Sequence, residues 1–212
     1  MFRQGRWLVC LALVLSGSLL GGCRASSEAV PGPRAPVENG TLVPFVRSLP
    51  LVAMTTPMVV EFTLPPPGKS SSPTLFLGIR VGGEDGLKSL NTSREIRSMG
   101  LPAEVKLERL EAQKRIPVPL VRVESVAGTP ARIEPIGPTG RVEGGWLDDV
   151  DHQSLQSAGL EAPDRHHTQL ALAWAQELQP GHYRLSMQIL KPDDRLAATQ
   201  AELLVAYVNK SK

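Results

Sequence analysis

The chain has 212 residues, which suits one domain with appendages. Hydrophobic residues make up 42% and mean hydropathy is −0.07, which excludes a chain that is disordered or membrane-spanning throughout. The 19 glycines and 19 prolines disfavour a helical bundle, and a formal charge of only +2 leaves no strong basic footprint for nucleic acid.

The chain opens on a targeting pattern. Arg3 and Arg6 precede an apolar run from Leu8 to Leu20 that contains only small interruptions. The run is short for a membrane span, which needs about 20 apolar residues. At Leu20-Gly21-Gly22-Cys23 the segment resembles the bacterial lipobox, an aliphatic residue and two small residues before a cysteine. The resemblance covers residues 1–23 and implies that 1–22 are a lipoprotein signal peptide. It also implies that Cys23 is lipidated and becomes the mature N-terminus. Arg24 follows, rather than the Asp of the inner-membrane retention signal, so the resemblance implies an outer-membrane lipoprotein facing the periplasm.

Loss of residues 1–22 changes the charge. Lys plus Arg falls from 23 to 21 as Arg3 and Arg6 go, and Asp plus Glu stays at 21. A near-neutral mature chain speaks against a nucleic-acid partner. Cys10 goes with the signal and Cys23 carries the lipid. No thiol is left for a disulfide, a nucleophile or a soft metal site. Residues 24–40, with Pro31, Pro33, Pro36, Gly32 and Gly40, read as a flexible tether, and a folded domain is expected over 41–212.

Within the domain, Val60, Phe62 and Leu64 alternate with polar residues over Met58 to Leu64, and Leu75, Leu77, Ile79 and Val81 alternate over Thr74 to Val81. The prolines and serines between them predict a long hairpin loop. Residues 85–115 fit two patterns: a short helix ended by Gly100 and Pro102 with a strand after it, or a charged helix over Glu104 to Arg115. Strands are expected at 119–124 and 131–136. Over Thr168 to Leu178, Leu170, Leu172 and Trp174 share one face and Ala171, Ala173 and Ala175 the other. Gln179-Pro180-Gly181 then predicts a hairpin to Tyr183, Leu185, Met187 and Ile189. Lys191-Pro192-Asp193-Asp194 marks a further turn, and Ala201 to Val208 a last strand.

These strands predict a mainly β fold, an antiparallel immunoglobulin-like β-sandwich without its cysteine–tryptophan hallmark, the 85–115 region being open to a helix. An α+β domain is the alternative. The series Ile116-Pro117, Val121-Arg122-Val123, Leu178 to Leu185 with its L-x-P-G-x-Y-R pattern, and Leu203 to Lys210 resembles small proteobacterial lipoproteins of unknown function. That resemblance implies a β-sandwich over about residues 41–210 and no chemistry.

Asp148, Asp149, Asp151 and His152, after Gly144-Gly145-Trp146, form the densest polar cluster. Carboxylates with imidazole suit a divalent cation, but the spacing is not that of a calcium loop, and a solvated acidic loop accounts for it more simply. His166 and His167 are neighbours that a strand would point to opposite faces. Ser154 near His152 admits a hydrolase only if geometry assembles a triad. Gly82-Gly83-Glu84-Asp85-Gly86 is acidic where a phosphate loop needs a cation, and reads as a turn. Trp146 is either a partner hot spot or a plug over the sandwich end.

No motif marks an enzyme, and no cofactor is expected. The favoured expectation is an envelope-anchored binding module with two attachments. One is the membrane through Cys23; the other is a periplasmic protein through Trp146, Asp148, Asp149 and His152, as in an immunity protein against a secreted toxin. The alternatives are a metal-assisted hydrolase using His152, His166 or the Asp148–Asp151 loop, and a structural factor that binds glycan or a lipoprotein complex.

Overall fold

A computed structural model describes residues 40–210 apart from 84, 113, 125–128, 131 and 163. The expected signal peptide, Cys23 and the expected tether through residue 39 lie outside the described residues. In chain order the elements are β1 (Thr41–Leu42), β2 (Phe45–Ser48), β3 (Met58–Leu64), β4 (Ser71–Gly83), α1 (Gly86–Met99), β5 (Ala103–Glu111), β6 (Lys114–Pro117), β7 (Val121–Glu124) and β8 (Arg132–Pro135). They continue with β9 (Arg141–Val142), β10 (Trp146–Leu147), α2 (His152–Ser157), β11 (His166–Ala175), β12 (Gly181–Ile189), a 3-10 turn at Asp194–Leu196, and β13 (Ala201–Asn209).

The strands form two sheets, so the fold is a mainly antiparallel β-sandwich. One sheet runs β1-β3-β12-β5-β6 with β9 beside β5, and the other runs β2-β13-β4-β11-β7-β8 with β10 beside β11. Among the described residues only β1 and β3 pair in parallel. The faces that meet are the alternating apolar sets expected from sequence: Val60, Phe62 and Leu64 of one sheet, Leu75, Leu77, Ile79 and Val81 of the other, all buried. Phe62 stacks on Tyr183 at 5.9 Å between ring centroids and touches Phe45 at 5.5 Å.

Both expected hairpins are in fact arches between the sheets. β3 pairs with β12, whereas β4 pairs with β11 and β13, so residues 65–70 cross from one sheet to the other. Likewise β11 and β12 belong to different sheets, and 176–180 carry the chain across. Each arch is pinned by a buried tyrosine: Tyr207 donates its hydroxyl to Pro65 O and Tyr183 to Gln179 O, both at 2.6 Å. The second is the tyrosine-corner arrangement of immunoglobulin-type sandwiches. Turn residues mark where a chain reverses, not which sheet receives it.

The 85–115 stretch resolves into a helix followed by a strand. Asp85 caps α1 by accepting from Lys88 N–H at 2.6 Å, and Gly100 ends it with φ 77°. The buried positions of α1 are Ser89, Ser93 and Ile96. Two of the three are serines, so the helix is amphipathic without an apolar stripe, which hides it from hydrophobic periodicity. Ser89 bonds Thr168 of β11 through their hydroxyls, and Ile96 enters the main core.

β11 departs from strict alternation. Its register against β4 shifts between Ala171 and Ala173, a β-bulge. The extra residue breaks the expected grouping of Leu170, Leu172 and Trp174. Leu170 and Leu172 face the inter-sheet core, whereas Trp174 joins Ala171 on the outer face.

Candidate functional site

The outer face of the seven-stranded sheet carries a second, smaller core. Phe76, Ala171, Trp174, Leu204 and Ala206 rise from the sheet, and Val150 and Leu155 come down on them from the segment 143–160. That segment lies across the sheet as a strap. β10 pairs with β11, Val150 bridges Val208, and Asp151 N–H donates to Tyr207 O at 2.9 Å.

The polar residues singled out in sequence are the fastenings of this strap. Asp148 accepts from Trp174 Nε1 at 2.5 Å. Asp149 accepts from Asn209 Nδ2 at 3.0 Å. Asp151 is buried, caps α2 by accepting from Ser154 N–H at 3.3 Å, and accepts from the Ser70 and Ser71 hydroxyls at 3.0 and 2.5 Å. Burial works to raise its pKa, but the Ser71, Ser70 and backbone hydrogen bonds outweigh it and hold the carboxyl below the usual range.

His152 sits between two acids, with Nε2 2.7 Å from Asp149 Oδ1 and Nδ1 2.5 Å from Glu161 Oε1. Burial opposes its charge, yet the Glu161 hydrogen bond and the charges of Glu161 and Asp149 raise its pKa. An imidazolium donates from both nitrogens here, and in that state neither offers a metal a lone pair. Among the described residues no group of three or more His, Cys, Asp or Glu is arranged to hold a metal ion. Ser154 Oγ donates to Asp151 O at 2.8 Å while both His152 nitrogens face carboxylates, so the two are not paired as in a triad. His166 is exposed and His167 half-buried, as adjacent strand residues on opposite faces.

Trp146 lies apart from the fastenings. On the edge of β11 away from β4, β10 pairs with Leu170 and Ala171, and β7 pairs with Trp174. The bulge residues between them are registered to neither strand. A recess of about 170 Å³ opens there, lined by Trp146, Trp174, Leu172, Gly145, Arg122 and Glu143 among others. Gly145 permits the approach, since a Cβ on it would lie 3.0 Å from the Leu170 side chain. Arg97 of α1 places its guanidinium over the Trp146 ring at 5.1 Å from the centroid. Trp146 is half-buried and lines an open recess rather than sealing an end of the sandwich.

The structure therefore brings His152 to Asp149, attaches Asp148 to Trp174, and leaves Trp146 at a separate opening. Glu161, Asn209, Arg97 and Trp174 complete these arrangements from distant stretches of chain. Only Trp174 carried a signal, a lone indole among the leucines and alanines of residues 170–175.

No protein-family model and no curated protein matches the chain. A crystal structure of a protein from Sulfurospirillum deleyianum is similar at 9% sequence identity and a TM-score of 0.39, covering 79% of this chain and 98% of that one.

Proposed function

We propose that this chain is a non-catalytic binding module, anchored to a bacterial envelope membrane by lipid on Cys23 and holding a protein partner at the Trp146 recess. The anchor rests on the lipobox resemblance at residues 20–23. The partner surface rests on one observation: a break in the sheet edge at the β11 bulge, walled by Trp146 and Trp174 and flanked by Arg97 and Arg122. Tryptophan and arginine are the residue types that dominate binding hot spots. At about 170 Å³ the recess falls below the roughly 300–1,000 Å³ of small-molecule sites, and suits one apolar side chain of a partner. The neighbouring edge strand β8 is an unsuitable template for strand addition, because Arg132, Glu134 and Pro135 blunt it. Recognition by an inserted side chain fits this edge better than β-augmentation.

A photo-crosslinking residue at Trp146 in the full-length chain, expressed in its host, tests the proposal. A discrete protein adduct is expected at 146 and none at Lys106 on the opposite sheet. Cys23→Ser should abolish palmitate incorporation and reduce the adduct. No adduct at 146, or the same adduct from 106, would remove the assignment.

A further inference from the structure

The outer face of the seven-stranded sheet has a second opening, and its chemistry differs from that of the Trp146 recess. A cleft of about 1100 Å³ lies where β4, β11 and β13 meet Gly159, Leu160, Ala162, Asp164 and Arg165 and the stretch 197–200. That volume is of small-molecule size. Its floor follows from strand register. Glu202, Arg80 and Gln169 are aligned across β13, β4 and β11, and Gly82 and His167 are aligned one pleat further on. Gly82 has no side chain to fill the floor, and a Cβ there would press on the His167 ring at 3.0 Å.

Hydrogen-bond donors on this floor outnumber acceptors. Arg80 is buried to 7% side-chain exposure, a costly place for a charge. Its Nε donates to Glu202 at 2.7 Å and its Nη1 to Leu160 O at 2.7 Å, which leaves Nη2 for the cleft. Beside it Gln169 is buried and does not line the cleft. The side chains of Lys88 and Arg165, which also line the cleft, form no hydrogen bond or ion pair with any described residue. Among the described lining residues Glu202 is matched by Arg80, and Asp164 is the one acid left beside Lys88 and Arg165. Burial, then Arg80, and more weakly Arg165, hold His167 below its ordinary pKa against the opposing charges of Glu202 and Glu161. The ring is thus neutral near pH 7 and able to donate from one nitrogen and accept at the other.

We propose that this cleft binds a phosphate group, with Lys88 and Arg165 supplying charge and Arg80 and His167 supplying donors from the floor. A phosphate has enough acceptor oxygens to take donors from floor and walls together, and charge-assisted bonds of this kind are the strong ones. The site is separate from the Trp146 recess and does not depend on a protein partner.

The test uses the full-length chain in a non-ionic detergent at constant ionic strength, titrated with inorganic phosphate and followed by NMR of the His167 ring. Saturable binding is expected, with the His167 pKa rising when the anion is bound. Reversing both wall charges (Lys88→Glu with Arg165→Glu) should weaken binding by about tenfold or more. Lys106→Glu, on the opposite sheet, should change it less than about twofold. Glycerol 3-phosphate binding in solution would identify a soluble ester as the source. Saturable phosphate binding together with much tighter binding to phosphatidylglycerol vesicles than to glycerol 3-phosphate, lost in the double reversal, would identify a lipid headgroup; either result supports phosphate recognition. No saturation at tens of millimolar phosphate, equal weakening by Lys106→Glu, or succinate binding as well as phosphate would overturn it.

Discussion

On its inner face β4 presents Leu75, Leu77, Ile79 and Val81, all fully buried against the other sheet. On its outer face the same strand presents Phe76, Gly78, Arg80 and Gly82, half under the strap and half on the floor of a polar cleft. The inner face is held by apolar area, which is non-directional and indifferent to pH. The outer face is held by a few directed hydrogen bonds that Asp148, Asp149 and Asp151 accept, with His152 joining Asp149 to Glu161, around a small apolar patch. One strand thus serves a permanent core and a fastened, separable cover, and both candidate recognition openings lie on the fastened side. The inter-sheet core supplies rigidity, while the outer face supplies chemistry.

The largest expected effect comes from the inner face. Leu77→Ala should destabilise the fold by about 2–5 kcal/mol in urea unfolding, as other buried leucine truncations do. Leu155→Ala, equally buried but under the strap, should cost less, because the strap can settle without parting the sheets. Equal costs, with an unchanged denaturant slope for both, would mean that strap and sandwich unfold as one unit and would break the distinction.

Next is Asp151. Asp151→Ala removes the α2 cap and the acceptor for Ser70 and Ser71, and should cost about 1–3 kcal/mol. Hydrogen exchange sharpens the comparison: protection should fall over 146–160 and persist in β12. The wild-type contribution also has a sign in pH. A carboxyl held below its ordinary value contributes fully above pH 3.8, and the contribution is lost as pH falls through the folded-state pKa. Acid should therefore loosen this fastening before it disturbs the apolar core.

The same contrast governs what could be read from sequence. The inner faces of β3, β4 and β12 were legible because one face is core and alternation follows from the pleat. The C-terminal end of α1 was legible from Gly100 and Pro102, but its start at Asp85 and its middle were not, since two of its three buried residues are serines. Arches passed for hairpins at 65–70 and 176–180 because proline and glycine encode a reversal and not its destination. The bulge at 171–173 was invisible, and with it the outward turn of Trp174. The local cluster at 146–152 was found as a cluster, but its roles were set by residues up to 81 positions away, such as Ser70 and Ser71 for Asp151.

Trp174→Phe isolates the contribution of a single fastening. It keeps an aromatic ring against Phe76 and Leu204 but removes the indole N–H, leaving Asp148 without that donor. A net loss of about 1 kcal/mol is expected, typical of one hydrogen bond with its acceptor left behind. If the bulge aims Trp174 for packing alone, the substitution will be neutral in urea unfolding, and the outer face will be more like the inner one than described here.

The smallest effect is the most diagnostic. The His152 pKa is raised by its two carboxylates, so its contribution is fully present below the ordinary value of 6.5 and is lost as pH rises through the folded-state pKa. The side chain is 46% exposed, so solvent screening keeps the pair interactions within about 1 kcal/mol. His152→Gln should therefore destabilise the chain at pH 5.5 and be nearly silent at pH 8.5, with the difference shrinking in high salt. Leu77→Ala, by contrast, should cost the same at both pH values. A His152→Gln cost independent of pH and salt would show that the ring serves as packing, and the polar character assigned to the strap would then rest on Asp148, Asp149 and Asp151.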